Sequence, residues 1–275
     1  MDESLSQIEY NQDLAELESI LSHVQRRGDF FFHGTAEIPM PKIAVKDVGI
    51  LSFPVPDAQI DALIRHATRA PYGRGEQTIL DESVRKVWQV PLESIEIGGK
   101  SWSQNFDRIV EEIRVGLGCE DVPVSAELYK MLVYDCGSFF LAHRDTEKSP
   151  GMFGTLVLVL PSPHSGGELI IRHAGRETAV DLSHGEFSEV TYAAFYADCE
   201  HEVRPVTGGH RICLVYNLIA APRGKSSARA IQAPDYQEQI RAIARLLESK
   251  LNQPDACTKF AWLLDHQYTT ESLSF

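Results

Sequence analysis

Several features that mark particular protein classes are missing from this sequence of 275 residues. No segment approaches the ~20 apolar residues that a membrane-spanning helix needs. The first residues, MDESLSQIEY, are acidic and polar and lack the apolar core of a signal peptide. Internal repeats and low-complexity linkers are also absent. We therefore expect a soluble intracellular protein without a membrane partner, located in the cytoplasm, with the nucleus as an open alternative.

Positive charge is scarce. The chain has 26 Lys and Arg against 39 Asp and Glu, a formal net charge of −13. Nucleic acid phosphates call for concentrated basic residues, and no dense basic run occurs, so we expect no nucleic-acid partner. The simplest interpretation of the acidity is solubility. Should the target be a protein, the acidity weakly favours a basic one.

Cysteine is sparse and irregularly placed. The five cysteines are an odd number, and none of them forms the Cys-x-x-Cys spacing of a zinc or redox site. Reduced thiols in an intracellular protein are the simplest account.

The composition is typical of a globular protein, with 43% hydrophobic and 24% charged residues. Patterning divides the chain into a helical support region (1–120), a strand-rich catalytic core (121–222) and a C-terminal extension (223–275). Together they are expected to form one structural unit.

Helical spacing of apolar residues predicts elements on both sides of the core. In the first region the predicted helices lie around Leu14–Val24, Ile60–Ala67 and Phe106–Leu117, the last with Ser103 as N-cap. In the extension a helix follows Pro234-Asp235, and a final strand is predicted around Phe260–Leu264.

The central region instead shows many short strand-like runs interrupted by Gly, Pro, Asn, Asp or Ser. The predicted strands are Tyr129–Tyr134, Ser138–Ala142, Thr155–Leu160, Glu168–Arg172, Thr178–Leu182, Val190–Tyr196 and Arg211–Leu218. This pattern favours an α+β protein whose core is a β-sandwich or barrel.

One short motif carries candidate chemistry. His143 and Asp145 directly follow the predicted strand Ser138–Ala142 and are two residues apart. In strand conformation such side chains point to the same face, so we expect both on one face. A His and an Asp buried together are costly unless they are neutralised or bind a metal. A return strand later in the core carries His201. Two His and one carboxylate form the facial triad of non-haem Fe(II) sites, which leaves coordination positions open.

A cation follows at the start of the apolar run RICLVYNL. Arg211 is permanently charged, and its guanidinium can bind a carboxylate through two parallel hydrogen bonds. A buried Arg at this position needs an anion, and the distal carboxylate of 2-oxoglutarate would supply one.

Residues 121–220 resemble the 2-oxoglutarate/Fe(II) oxygenases, in particular the prolyl 4-hydroxylase-like branch. The resemblance rests on the His143-Arg144-Asp145 pair, the Gly166-Gly167-Glu168-Leu169 hairpin, the His201-Glu202-Val203 segment and Arg211. It implies a double-stranded β-helix, or jelly roll, flanked by N-terminal and C-terminal helices.

The resemblance also implies an activity: a dioxygenase that uses Fe(II), 2-oxoglutarate and O2, and that hydroxylates a protein side chain or a small molecule with release of succinate and CO2. His143, Asp145 and His201 would be the metal ligands. Tyr134 would contact 2-oxoglutarate, with Tyr129 a weaker candidate for that contact.

Two positions depart from the family pattern. Cys213, a poor donor, stands where many relatives have Ser or Thr, and Arg211 replaces the Lys of many prolyl 4-hydroxylases. Both weaken an assignment of proline as the target. Two other readings stay open: a non-catalytic metal-binding or sensor module, and a metal-dependent jelly-roll enzyme without 2-oxoglutarate.

His210 is the competing candidate for the distal metal ligand. If it were the ligand, the adjacent Arg211 would lie on the opposite face of the strand and could not serve the same pocket. We therefore predict that His210 is a turn or strand-entry residue.

Overall fold

The computed structural model describes residues 15–24, 28–74, 77–183, 188–221 and 231–251. The described residues belong to two compact units. The larger unit holds those between 28 and 235, and the smaller one contains helix α1 (residues 15–22) and helix α4 (Gln237–Leu251). None of the described helices is long and apolar enough to cross a membrane.

The larger unit consists mostly of strands. The strands before the predicted core are β1 (Phe31–Glu37), β2 (Lys42–Val45), β3 (Gly49–Ile50), β4 (Thr68–Arg69), β5 (Tyr72–Arg74), β6 (Gln77–Ile79), β7 (Arg85–Lys86), β8 (Trp88–Val90) and β9 (Ile95–Gly98). Two α-helices, α2 (Asp57–His66) and α3 (Trp102–Gly116), and a 3-10 turn at Leu92–Ser94 lie among them.

Ten strands follow α3. They are β10 (Val124–Tyr134), β11 (Phe139–His143), β12 (Met152–Val159), β13 (His164–Gly166), β14 (Leu169–His173), β15 (Arg176–Val180), β16 (Glu189–Tyr196), β17 (Glu200–Val203), β18 (Val206–Gly209) and β19 (Arg211–Ala220).

Two antiparallel sheets form the body of this unit. The seven-stranded sheet has the order β1-β16-β12-β19-β10-β8-β4, and the five-stranded sheet has the order β15-β14-β17-β11-β7. Eight of these strands, β10–β12, β14–β17 and β19, alternate between the sheets in the manner of a jelly roll. The predicted fold class, a mainly β core with flanking helices in an α+β protein, is confirmed.

The middle strands of the large sheet are mostly apolar and are buried along most of their length because both faces are covered. Every residue of β12 is buried, as are the first eight residues of β19. Helix α3 covers the outer face: Phe106 lies 4.6 Å from the ring centre of Tyr216. A Cβ on Gly116 would lie 2.2 Å from the Phe32 ring, so β1 and α3 approach closely at a glycine.

All seven predicted core strands are present. Most ends are shifted by at most two residues, but β10 and β12 begin five and three residues earlier than predicted. The predicted helices also correspond to α1, α2, α3 and α4, although the residue preceding α3 is Ser101 rather than Ser103. The strand predicted around Phe260–Leu264 lies outside the described residues.

The prediction of a helical support region over residues 1–120 missed strands that accompany its helices. The described part of this stretch contains nine strands beside three α-helices, and β1, β7 and β8 pair with β16, β11 and β10 of the core. Several are only two or three residues long, too short to show alternation, and the edges of the core sheets supply their partners. The boundary predicted at 120 is therefore crossed by strand pairing.

The expectation that the three regions form one structural unit stays a prediction, although the described residues group into two compact units. α1 and α4 form a unit of their own from distant parts of the chain. Patterning along a sequence does not reveal such an association.

Candidate active site

The two candidate histidine ligands are cross-strand neighbours in the smaller sheet. His143, the last residue of β11, pairs directly with His201 on β17, and Phe140 pairs with Val203. The spacing between these pairs is one residue longer on β11, which marks a β-bulge. Because of the bulge, Phe140 and His143 share a face, and their ring centres are 3.6 Å apart.

Asp145 lies beside the two histidines, but regular strand alternation, which was predicted to bring it there, is not the reason. Strand alternation was expected to align it with His143, but β11 ends at His143 and Asp145 lies in the segment that follows. The Thr155 hydroxyl on β12 donates a hydrogen bond of 2.6 Å to Asp145 Oδ2. The neighbouring strand therefore holds the carboxylate in position.

The three side chains converge. Asp145 Oδ1 lies 3.9 Å from His143 Nε2, and Asp145 Oδ2 lies 3.7 Å from His201 Nε2. One potential ligand atom from each residue falls within 4.8 Å of the others. Two imidazoles and one carboxylate, with the remaining directions open to a cavity, suit a non-haem Fe(II) ion and its exchangeable ligands.

Both imidazoles are oriented for metal binding. His143 Nδ1 lies 2.9 Å from the Leu141 carbonyl oxygen, and His201 Nδ1 lies 3.2 Å from that of Cys199. A carbonyl only accepts, so each Nδ1 carries the proton and each Nε2 presents a lone pair to the site. Partners of this kind fix the tautomer of metal-binding histidines.

The electrostatics favour the protonation states that a metal requires. Burial, and then the neighbouring charge of His201, hold the pKa of His143 far below its usual value, so the imidazole is neutral at physiological pH. Burial alone would raise the pKa of Asp145. The charge on His201 and the Thr155 hydrogen bond outweigh burial and lower that pKa, so Asp145 is an anion.

Arg211 is the most unusual buried group. Its side chain is 1% exposed, and Nε, Nη1 and Nη2 all lack a hydrogen-bond partner among the described residues. An unpaired buried guanidinium is strongly unfavourable, so the position calls for an anionic ligand. A dicarboxylic cosubstrate with one carboxylate at the triad and the other at Arg211 fits this requirement.

The glycine hairpin leaves room beside Arg211. Gly167 has a φ of 77°, and a Cβ there would lie 2.9 Å from Val206 Cγ2 and 3.6 Å from Arg211 Cδ. Only glycine adopts this backbone conformation freely. Gly167 thus permits close packing beside the Arg211 stem.

All six predicted site residues line one cavity of about 210 Å³ between the two sheets. Tyr134 pairs with Arg211 across β10 and β19, and its ring centre is 5.3 Å from the guanidinium carbon. Burial raises the pKa of Tyr134 to about 12, so it stays a neutral donor. Tyr129 lies at a second bulge, between Leu128 and Lys130, which lets it face the cavity although it is five positions from Tyr134.

Among the lining residues that were not singled out from the sequence are Thr155, Arg85 and Lys130. Arg85 lies within residues 1–120, where no sequence motif indicates a role for it. Lys130 follows Tyr129 directly, and strict alternation would have placed only one of the two in the cavity. Cys213 lines the cavity as predicted from its place after Arg211, and burial raises the pKa of its thiol. Cys136, Cys199 and Cys213 are free thiols, in line with the expected reduced state.

A family model decides the assignment of the core. Residues 129–219, about a third of the chain, match the model of the 2OG-Fe(II) oxygenase superfamily. This segment is a 2OG-Fe(II) oxygenase domain. The protein is accordingly an oxidoreductase, a 2-oxoglutarate-dependent dioxygenase whose family uses Fe(II), 2-oxoglutarate and O2.

Solved structures of such oxygenases resemble the model at low identity. A prolyl-4-hydroxylase from Pseudomonas putida is 17% identical, with a TM-score of 0.40, covering 77% of this chain and 100% of its own. A prolyl hydroxylase from Trichoplax adhaerens, in complex with a hypoxia inducible factor oxygen degradation domain peptide fragment, is 11% identical, with a TM-score of 0.41, covering 76% and 91%.

A viral collagen prolyl hydroxylase from Paramecium Bursaria Chlorella virus-1, in a 2OG complex, is 15% identical, with a TM-score of 0.38, covering 71% and 98%. No match was found among curated protein sequences.

Proposed function

We propose that the dioxygenase holds Fe(II) with His143, Asp145 and His201, anchors 2-oxoglutarate with Arg211, and hydroxylates a C–H bond of a protein side chain or small molecule. One observation carries the proposal. The cavity that exposes the three ligand atoms also contains a buried Arg whose three nitrogen atoms have no partner among the described residues. A metal site without an oxo acid would have no use for that charge.

When bound, Fe(II) and 2-oxoglutarate together supply the oxidising chemistry, which places one oxygen atom of O2 in the product and the other in succinate as CO2 is released. The chain's own residues bind and orient. Arg211 would hold the distal carboxylate with paired hydrogen bonds, and the Tyr134 hydroxyl would donate a further bond to it.

Other lining residues position the ligands and limit access of water. Thr155 fixes Asp145, and the rings of Phe140 and Phe195 lie 3.6 and 4.4 Å from those of His143 and His201. Rings packed so closely restrict the imidazoles and give the site an apolar wall. Such preorganisation places the reacting groups before the reaction begins.

The test compares two histidines. His201→Ala should abolish Fe(II) binding and succinate formation from 2-oxoglutarate. His210→Ala is the matched control, since His210 precedes β19 and is not among the residues lining the cavity. Full turnover in His201→Ala, or loss of turnover in His210→Ala alone, would contradict the proposed ligand set.

A further inference from the structure

The cavity has the opposite charge to the protein as a whole. Its lining includes five cationic side chains, Arg85, Lys130, Arg144, Lys148 and Arg211, and a single carboxylate, Asp145, among the described residues. The chain carries a formal net charge of −13. A cleft lined by one sign of charge attracts ligands of the other sign.

Iron and cosubstrate do not neutralise this excess. The two positive charges of Fe(II) equal the two negative charges of 2-oxoglutarate, Asp145 serves the metal, and Arg211 serves the distal carboxylate. Arg144 and Lys148 are exposed and therefore solvated. Arg85 and Lys130 are left as inward cations with no ion pair to any described residue.

Arg85 lies beside the metal ligands. It pairs across strands with Phe140, and its guanidinium carbon lies 4.3 Å from the centre of the Phe140 ring, which in turn stacks on His143. The side chain is 5% exposed. Nη1 donates to the Pro71 carbonyl oxygen at 2.6 Å, whereas the buried Nε has no partner among the described residues. Arg85 is thus a cavity-lining cation whose hydrogen-bonding capacity is not fully used by the described part of the chain.

Lys130 provides the second cation. The bulge at Tyr129 brings both residues to the cavity, where Lys130 Nζ lies 4.0 Å from the centre of the Tyr129 ring. Burial, and then the charge of Arg85, lower the pKa of Lys130 to about 7. A nearby anion would offset both effects.

We propose that Arg85 and Lys130 form a subsite for a carboxylate group of the substrate, so that the enzyme oxidises an acidic molecule or an acidic residue of a peptide. The inference rests on the proposed function and names its substrate class. It reverses the expectation, drawn from overall charge, that a protein target would be basic.

The test uses pairs of probes that differ in one carboxylate. Protein loaded with Fe(II) and 2-oxoglutarate under anaerobic conditions is titrated with N-acetyl-glutamate amide and N-acetyl-glutamine amide, while the visible absorption of the loaded site is followed. A parallel arm uses acetylated, amidated Ala-Glu-Ala and Ala-Gln-Ala. The acid of at least one pair should bind about tenfold more tightly or better, and the arm that shows it distinguishes a small acid from a peptide.

Variants locate the preference. Arg85→Gln and Lys130→Met should each reduce it about tenfold and leave the 2-oxoglutarate titration within threefold of the wild type. Lys86→Gln removes a cation from the same strand outside the cavity lining and should retain the preference. If Arg85→Gln does not fold, Lys130→Met carries the test.

Three results would overturn the subsite: no acid preference in wild-type protein that shows the absorption, a preference that survives in the folded variants, or an equal loss of 2-oxoglutarate affinity in those variants. Failure of the absorption to form at all would be a different result, because it would refute the iron and cosubstrate assignment itself.

Discussion

Replacing Arg211 with methionine should separate ligand binding from folding. Methionine fills similar space without a charge, and the guanidinium is buried with no partner in the described part of the chain for any of its three nitrogen atoms. The substitution should therefore leave the thermal stability of the ligand-free protein equal to that of the wild type or higher. Replacing an ordinary buried residue of this size would instead lower the thermal stability.

Binding of 2-oxoglutarate, in contrast, should become weaker in Arg211→Met. Truncating one partner of a buried, hydrogen-bonded charge pair costs about 2–5 kcal/mol, which corresponds to roughly 30-fold to several thousand-fold weaker binding. In wild-type protein, 2-oxoglutarate at 100 times its Kd stabilises the fold by about 2.7 kcal/mol. For a unit of this size that amounts to a rise in Tm of about 5–11 °C.

The assay is thermal unfolding with and without 2-oxoglutarate, in the presence of Fe(II) under anaerobic conditions. Arg211→Met should lose the 2-oxoglutarate shift and keep the Fe(II) shift. Arg204→Met, at an exposed arginine, is the control and should keep both. A variant that binds 2-oxoglutarate within threefold of the wild type, or that unfolds as a core deletion does, would refute the reasoning.

Three further outcomes are expected. Thr155→Val removes the hydrogen bond to Asp145 and should weaken Fe(II) binding about 10- to 100-fold in a competition titration; unchanged affinity would show that the bond does not position the ligand. Tyr134→Phe should raise the Kd for 2-oxoglutarate about 2- to 13-fold with Fe(II) affinity unchanged, and equal loss of both would indicate a packing role. Because the pKa of Lys130 is lowered from 10.5 to about 7, unfolding takes up a proton between those values, and this residue makes stability rise with pH there. The excess stability of Lys130→Met over the wild type should therefore shrink from pH 7 to 10, and a constant difference in urea unfolding would contradict the assignment.

The core strands could be predicted because each follows a rule that depends only on its own stretch of sequence. Buried strands of a two-sheet core read as apolar runs separated by turn residues, and β12, β16 and β19 are such runs. The strands before α3 follow no such rule. They are short, and their partners are the edges of a core that must already exist, so their sequence shows little alternation.

The candidate site was likewise predictable only in part. His143, Asp145, His201 and Arg211 were identified by type and order, and the structure places them on one cavity. The local reasoning for Asp145 was wrong, because a bulge and the end of β11 replace regular alternation. Irregularities of this kind depend on pairing with another strand and cannot be read from one strand alone.

Arg85 illustrates what sequence reasoning cannot reach. It lies far from every motif, on a two-residue strand, and becomes part of the cavity only because β7 pairs with β11. Lys130 was hidden by a bulge next to it. Both were found by their place in the cavity lining and by the lack of an ion pair to any residue that the structure describes, which are properties of the fold.

The central claim is that one cavity binds Fe(II) and 2-oxoglutarate together, and anaerobic optical titration tests it without a known substrate. The protein is titrated first with Fe(II) and then with 2-oxoglutarate, and visible absorption is recorded beside the same titration of His201→Ala. The account predicts a charge-transfer band that requires both ligands and is absent from the variant. Fe(II) binding without such a band after 2-oxoglutarate is added, or an undiminished band in His201→Ala, would contradict it.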